Sequence, residues 1–140
     1  MICPFPGYAA KVRESFAQQS LMSGFDARLD AIAPGKCSIS APIGPGVLQQ
    51  RGFAHAGLTF ALGDSAAGYA ALSLMPEEAE VLTVEMKINL LAPAAGARLL
   101  AHGTVVKSGR RLSVVRAEVL ALSGEEERVV ALLQGTMIAA

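Results

Sequence analysis

From Ala56 to Met75 the chain reads AGLTFALGDSAAGYAALSLM, an apolar run with one charged residue, Asp64, near its middle. The run is longer than an ordinary strand and rich in alanine, so it reads as a helix buried on most sides. Its small residues (Ala56, Gly57, Ala61, Gly63, Ala66, Ala67, Gly68, Ala70 and Ala71) let neighbouring strands approach closely. Glycine costs up to ~1 kcal/mol inside a helix, so helix propensity does not explain Gly57, Gly63 and Gly68, and close packing is the better account.

The rest of the chain supplies the wrapping. Four strand-like segments follow Pro76, namely VLTVEMKINLLAP, ARLLAHGTVVK, RLSVVRAEVLAL and RVVALLQGTMIA. They are separated by Pro93 to Gly96, Ser108 to Arg110 and Ser123 to Glu125, each a turn signal carrying glycine. Ahead of the helix, Phe25, Ala27, Leu29 and Ala31 alternate with polar residues. Beyond Pro34-Gly35, Cys37, Ile39, Ala41 and Ile43 do the same, which predicts a hairpin. Tyr8, Val12 and Phe16 recur every four residues, predicting a short amphipathic helix that ends before Gly24. The expected architecture is α+β, one long helix wrapped by a meander of antiparallel strands, with residues 1–24 as a helical cap and 25–140 as the main domain.

At 140 residues, 52% hydrophobic and 17% charged, the chain has the length of one domain with a real core. Twelve basic residues balance twelve acidic ones, which removes any global attraction to nucleic acid or an anionic membrane. Mean hydropathy is +0.43, yet no apolar segment reaches about 18 residues free of Gly, Pro and charge, so no membrane span is expected. Cys3 and Cys37 have no metal-ligand spacing and read as reduced thiols. No charged segment followed by an apolar one opens the chain, so secretion is not expected and the cytoplasm is the expected compartment.

On the helix, Asp64 neighbours Phe60, Ala61, Ala67 and Gly68, none of which can pair with it. A desolvated carboxylate without a cation has a raised pKa and becomes a better proton acceptor or nucleophile. The competing reading places Asp64 on an exposed stripe with Ser65 and Tyr69. The segment RGFAHAG puts His55, Ala56 and Gly57 at the helix start, where the first N–H groups lack internal partners and can meet an oxyanion or polarised carbonyl. His55 by itself is as readily a structural hydrogen-bonding residue. Ala56 and Asp64 lie eight residues apart, about 12 Å along one helix, too far to touch one carbonyl. If both serve one reaction, the donor comes from one chain and the carboxylate from another, in a dimer with two shared sites.

These residues resemble a family. Gly52, His55-Ala56-Gly57, Asp64-Ser65-Ala66, Thr83 to Pro93, GARLLA (Gly96 to Ala101) and Gly109 to Leu112 look like hotdog-fold acyl-CoA thioesterases of the phenylacetic-acid-degradation type. The resemblance spans about residues 25–140. It implies a helix inside a curled sheet, a dimer often doubled to a tetramer, and hydrolysis of a CoA thioester with no cofactor or metal. By position it makes Asp64 the catalytic carboxylate and Ala56 the N–H that polarises the thioester carbonyl. Gln49 matches an amide that helps hold the thioester, and Thr83 a hydroxyl that orients water. Ala56 replaces the usual middle glycine of His-Gly-Gly, and Gln49 stands where Asn is commoner. Lys107, Gly109, Arg110 and Arg111 cluster at one turn where they could meet the CoA phosphates, with Lys87 as another candidate; the alternative is that these cations are only solvated. The rival functions are a non-catalytic acyl-CoA-binding domain, for which a basic nucleic-acid-binding segment is lacking, and a dehydratase, whose acidic residue precedes its His. The partners expected are an acyl-CoA and a second copy of the chain, with no nucleic acid and no membrane.

Overall fold

The computed structural model describes residues 1–2 and 4–140, so Cys3 lies outside the described residues. The long helix forms as expected. It is α3, Ala56–Leu72, with eleven of its residues buried, Leu62, Ala66, Ala67 and Ala70 completely. Its start is set by His55, whose extended backbone (φ −62°, ψ 141°) and Nδ1 accepting from the Gly57 N–H at 2.7 Å make it the N-cap. Its end is set by Ser73, whose buried hydroxyl donates to Ala70 O at 2.6 Å and accepts from Gly35 N–H at 2.8 Å. That second bond ties the helix end to the turn between the first two strands.

Six antiparallel strands wrap this helix: β1 (Arg28–Ala33), β2 (Lys36–Pro42), β3 (Val81–Leu90), β4 (Arg98–Ser108), β5 (Leu112–Ser123) and β6 (Glu126–Ala139). Their order in the sheet is β1-β2-β4-β5-β6-β3. The meander expected of the last four strands holds only for β4 to β6. β3 pairs with β6 instead of β4 and becomes an edge, because the link through Pro93 passes over the start of α3 before rejoining the sheet. Three backbone bonds fix that path: Leu91 N–H to Val130 O, Ala94 O from Ala54 N–H, and Ala97 N–H to Leu122 O.

Two further expectations shift. The first strand begins at Arg28, since Phe25 closes a short helix, α2 (Ser20–Gly24), and Asp26 takes a left-handed conformation at φ 55°. A bulge at Asp30 then reverses the alternation, so Leu29 and Ile32 turn inward while Ala31 is exposed. The N-terminal helix is broken at Gln18–Gln19, leaving α1 (Tyr8–Ala17) and α2. Val12 of α1 is fully buried and Phe16 sets its ring edge-on to Tyr69, with centroids 6.2 Å apart. On β2 the expected inward set is correct, with Cys37, Ile39 and Ala41 in the core. Burial pushes the Cys37 thiol up to about 12, which leaves it an unreactive core group.

Close packing explains some of the glycines. A Cβ on Gly103 of β4 would overlap the backbone carbonyl of Ala66, and one on Gly63 would lie 2.8 Å from Leu133 Cδ2. At Gly68 a Cβ would make only ordinary contact with Met137, so that glycine is not required by space. Gly103→Ala should therefore lower stability by about 1–3 kcal/mol through overpacking, seen as a lower urea midpoint. Gly24→Ala, with open space around it, should stay within about 0.5 kcal/mol.

Candidate active site

Asp64 does not lie on an exposed stripe. Tyr69 is buried and Ser65 half-buried, and Asp64 itself is half-buried beneath β3. Its partner comes from another element: the Thr83 hydroxyl donates to Asp64 Oδ1 at 2.8 Å and also lies 3.3 Å from Met137 Sδ. A bulge at Val84 sets this up. It switches the inward face of β3 from Val81 and Thr83 to Met86 and Ile88, so that Thr83 faces the helix. Burial raises the Asp64 pKa, and the Thr83 hydrogen bond offsets part of that rise. The carboxylate thus has one hydroxyl partner and no balancing cation among its described hydrogen-bond partners.

The helix start forms a separate group. His55 Nδ1 holds the Gly57 N–H, so Gly57 cannot also offer that N–H to a ligand. Ala56, the first helical residue, has no carbonyl of its own helix to meet and leaves its N–H available. Gln49 stands beside it. Its Oε1 accepts from Arg51 N–H at 2.5 Å and Phe53 N–H at 3.2 Å, so its free offering is the Nε2 amide. Ala56 and Gln49 border a cavity of about 510 Å³ whose other walls include Leu90, Pro93 and Val130. Arg51 also reaches this cavity, a cation in a loop whose sequence carries no pattern that would mark it.

Asp64 and Thr83 border a different, smaller cavity of about 150 Å³. The two cavities lie at opposite ends of β3, the smaller at Val81 and Thr83 and the larger at Leu90. Seven residues separate Thr83 from Leu90, about 23 Å of extended strand. Within one chain the structure therefore keeps Ala56 and Gln49 apart from Asp64 and Thr83, in agreement with the helix spacing.

The basic residues occupy the β4–β5 turn and its flank, all exposed. Gly109 closes that turn by donating its N–H to Leu112 O at 2.8 Å, and a Cβ there would come 2.6 Å from the same oxygen. Ser113 stands in register with Met137, and Met137 with Thr83, so Arg110 and Arg111 project from the Asp64 end of the sheet. Lys87 pairs in register with Gln134 on the exposed face, opposite to the side that Thr83 occupies. Among the described residues no cluster of metal-ligating side chains is present.

The profile of the thioesterase superfamily matches residues 51–127, from the turn before α3 to the start of β6. The chain belongs to the thioesterase superfamily. A thioesterase family protein from Silicibacter pomeroyi is 48% identical, with a TM-score of 0.93 over 95% of this chain and 98% of its own. A Bacillus halodurans protein solved with CoA is 26% identical, with a TM-score of 0.78 over 96% of this chain and 83% of its own. The PaaI protein of the phenylacetic acid degradation operon of E. coli shares the hotdog fold at 18% identity, with a TM-score of 0.85 over 95% of this chain and 93% of its own. A search of curated proteins finds no sequence match. This thioesterase is thus a hydrolase with a hotdog fold, and no helix among its described residues is long and apolar enough to cross a membrane.

The raised pKa of Asp64 has a thermodynamic consequence. Its charged form is less favourable in the folded thioesterase than in the unfolded chain, so this group costs stability once pH rises above the ordinary aspartate value of 3.8 and through the raised value. Asp64→Asn keeps the Thr83 bond and removes the charge. Its Tm should exceed that of the wild type at pH 7, and the difference should vanish below about pH 4, where both side chains are neutral.

Proposed function

We propose that the thioesterase hydrolyses acyl-CoA thioesters at sites shared between two copies of the chain. The observation that carries this reading is the separation of the two half-sites by the length of an edge strand that has no partner on its outer side. Among the described residues β3 bonds only to β6, and Leu82, Val84, Leu90 and Leu91 near its ends are each more than half exposed. Antiparallel pairing of β3 with its two-fold mate brings the Thr83 end of one strand against the Leu90 end of the other. Asp64 of one copy then joins Ala56 and Gln49 of the second around one thioester. The apolar strand ends are buried by the same contact.

In this reading the Ala56 N–H and the Gln49 Nε2 amide donate to the thioester oxygen as negative charge develops on it. Asp64 either takes a proton from the attacking water or attacks the carbonyl itself, and Thr83 keeps its carboxylate aimed. The C–S bond breaks and CoA leaves as the thiol, taking up a proton that comes from the water by way of Asp64 or from solvent. When water attacks, the acyl group departs directly as the free acid; when Asp64 attacks, a water then hydrolyses the acyl–Asp64 anhydride, releasing the acid and restoring the carboxylate. Arg110 and Arg111 supply positive charge for the CoA phosphates, and the acyl group is aromatic or of medium length. Two such dimers form the tetramer, and the cytoplasm, where CoA esters are made and used, is the compartment that suits this chemistry.

Ala56→Pro is a selective lesion at the donor side. It occupies the first helical position, which tolerates proline, and His55 already has the extended backbone that a following proline requires. Paired with Asp64→Asn, it tests the shared site. Each variant alone should lose most thiol release from acyl-CoA. After subunit exchange, each mixed dimer should regain about half of the wild-type activity, since one of its two sites carries neither lesion. Mixed dimers that form and stay at the level of the parents would overturn the arrangement.

The basic turn is tested separately. Arg110→Ala with Arg111→Ala should raise KM for an acyl-CoA more than it lowers kcat, because phosphate contacts are alike in ground and transition states. The corresponding pantetheine thioester should be cleaved as by the wild type. Equal losses on both substrates would assign these arginines another role.

A further inference from the structure

The N-terminal helix does more than cover the core. Lys11 and Ser15 lie one turn apart on α1, and Gln19 follows in the break before α2; Lys11 bonds the turn that leads into β3, and Ser15 and Gln19 border the Asp64 half-site. The Lys11 ammonium bonds to the carbonyls of Pro76 at 3.1 Å, Glu77 at 2.6 Å and Ala79, the turn that leads from α3 into β3. Ser15 Oγ lies 3.0 Å from the Tyr69 hydroxyl, and Gln19 Nε2 donates to that hydroxyl at 2.6 Å. Tyr69 stands five residues beyond Asp64 on α3, and its ring is fixed against Phe16.

Ser15, Gln19 and Tyr69 line the same 150 Å³ cavity as Asp64, Thr83 and Glu80. We propose that the Ser15–Gln19–Tyr69 cluster is the wall at which the acyl group ends, and that it sets the acyl length this thioesterase accepts. The inference rests on the shared-site reading above. A molecule held at Asp64 extends in two directions from its thioester carbon. The pantetheine arm must run on to the nucleotide and reach solvent, so it cannot stop at a wall. The acyl group can.

The wall is stiff for a physical reason. Gln19, Ser15 and the Tyr69 hydroxyl satisfy one another's hydrogen bonds, and pushing Gln19 aside strips the buried tyrosine of a partner. A methyl terminus pressed against it offers no replacement bond. Lys11 holds α1 to the turn before β3, which keeps the wall at a constant distance from Thr83 and hence from Asp64. No pattern around α1 marks it as part of a site by sequence alone, but Ser15 of α1 and Gln19 just beyond it supply one side of the cavity that α3 and β3 border.

The test is the chain-length profile of kcat/KM over saturated straight-chain acyl-CoAs from acetyl to decanoyl, measured by thiol release. Ser15→Ala with Gln19→Ala removes the wall and should move the optimum to longer chains by two or more carbons. The ratio of long-chain to short-chain kcat/KM should rise at least about 10-fold, the usual effect of one methylene in a fitted pocket. Gln19→Phe advances the wall and should move the optimum the other way, so the proposal remains testable if either variant folds poorly. A folded variant with the wild-type profile would overturn the wall while leaving thioester hydrolysis intact. A wild type that cleaves no member of the series, nor any aromatic acyl-CoA, would overturn the acyl-CoA reading and the wall with it.

Discussion

The contact between β4 and α3 governs the rest of the molecule. At Gly103 the strand backbone rests on the helix backbone at Ala66 and Ala67, closer than any side chain would permit. An approach this close lets a sheet of only six strands curl far enough to enclose a helix. It also strips water from the Ala66 face of that helix, while β3, through Thr83, covers Asp64 and leaves it a half-buried carboxylate.

The enclosure is incomplete where the chemistry lies. β3 is an edge and closes the sheet against β6 only, so the two ends of α3 open into two different cavities along that strand. A bulge at Val84 turns Thr83 toward Asp64, and the link after Leu90 turns back over the helix start beside Ala56. The same strand thus organises both half-sites without joining them. In the reading proposed here a second copy joins them, so the apolar edge that would be a liability in a monomer becomes the means of assembling the site.

The sites of reaction and of packing interpenetrate at α1. Lys11 and Ser15 would pass for ordinary surface residues of an amphipathic helix and Gln19 for a linker residue, yet their polar groups close around the end of α3 and the turn before β3. Tyr69 shows the same double character, with a ring in the core and a hydroxyl in a polar cluster. An aromatic residue with one polar end suits such a boundary.

Much of this was legible in the sequence, because periodicity and residue size are local properties. The apolar run of small residues, the lone Asp64, the helix start at His55 and the glycine-bearing turns of β4 to β6 follow from hydrophobic patterning and capping chemistry. The distance from Ala56 to Asp64 follows from the helix rise alone. Tertiary structure decided what depends on chain crossing and on bulges. It put β3 beside β6, turned Thr83 onto Asp64, broke the N-terminal helix at Gln18–Gln19 and reversed the face of β1 after Leu29. A one-residue bulge flips every later side chain in a strand and leaves almost no mark in composition. The grouping of Ser15, Gln19 and Tyr69 was equally hidden, since residues some fifty positions apart meet only once the sheet has curled and the first helix has docked.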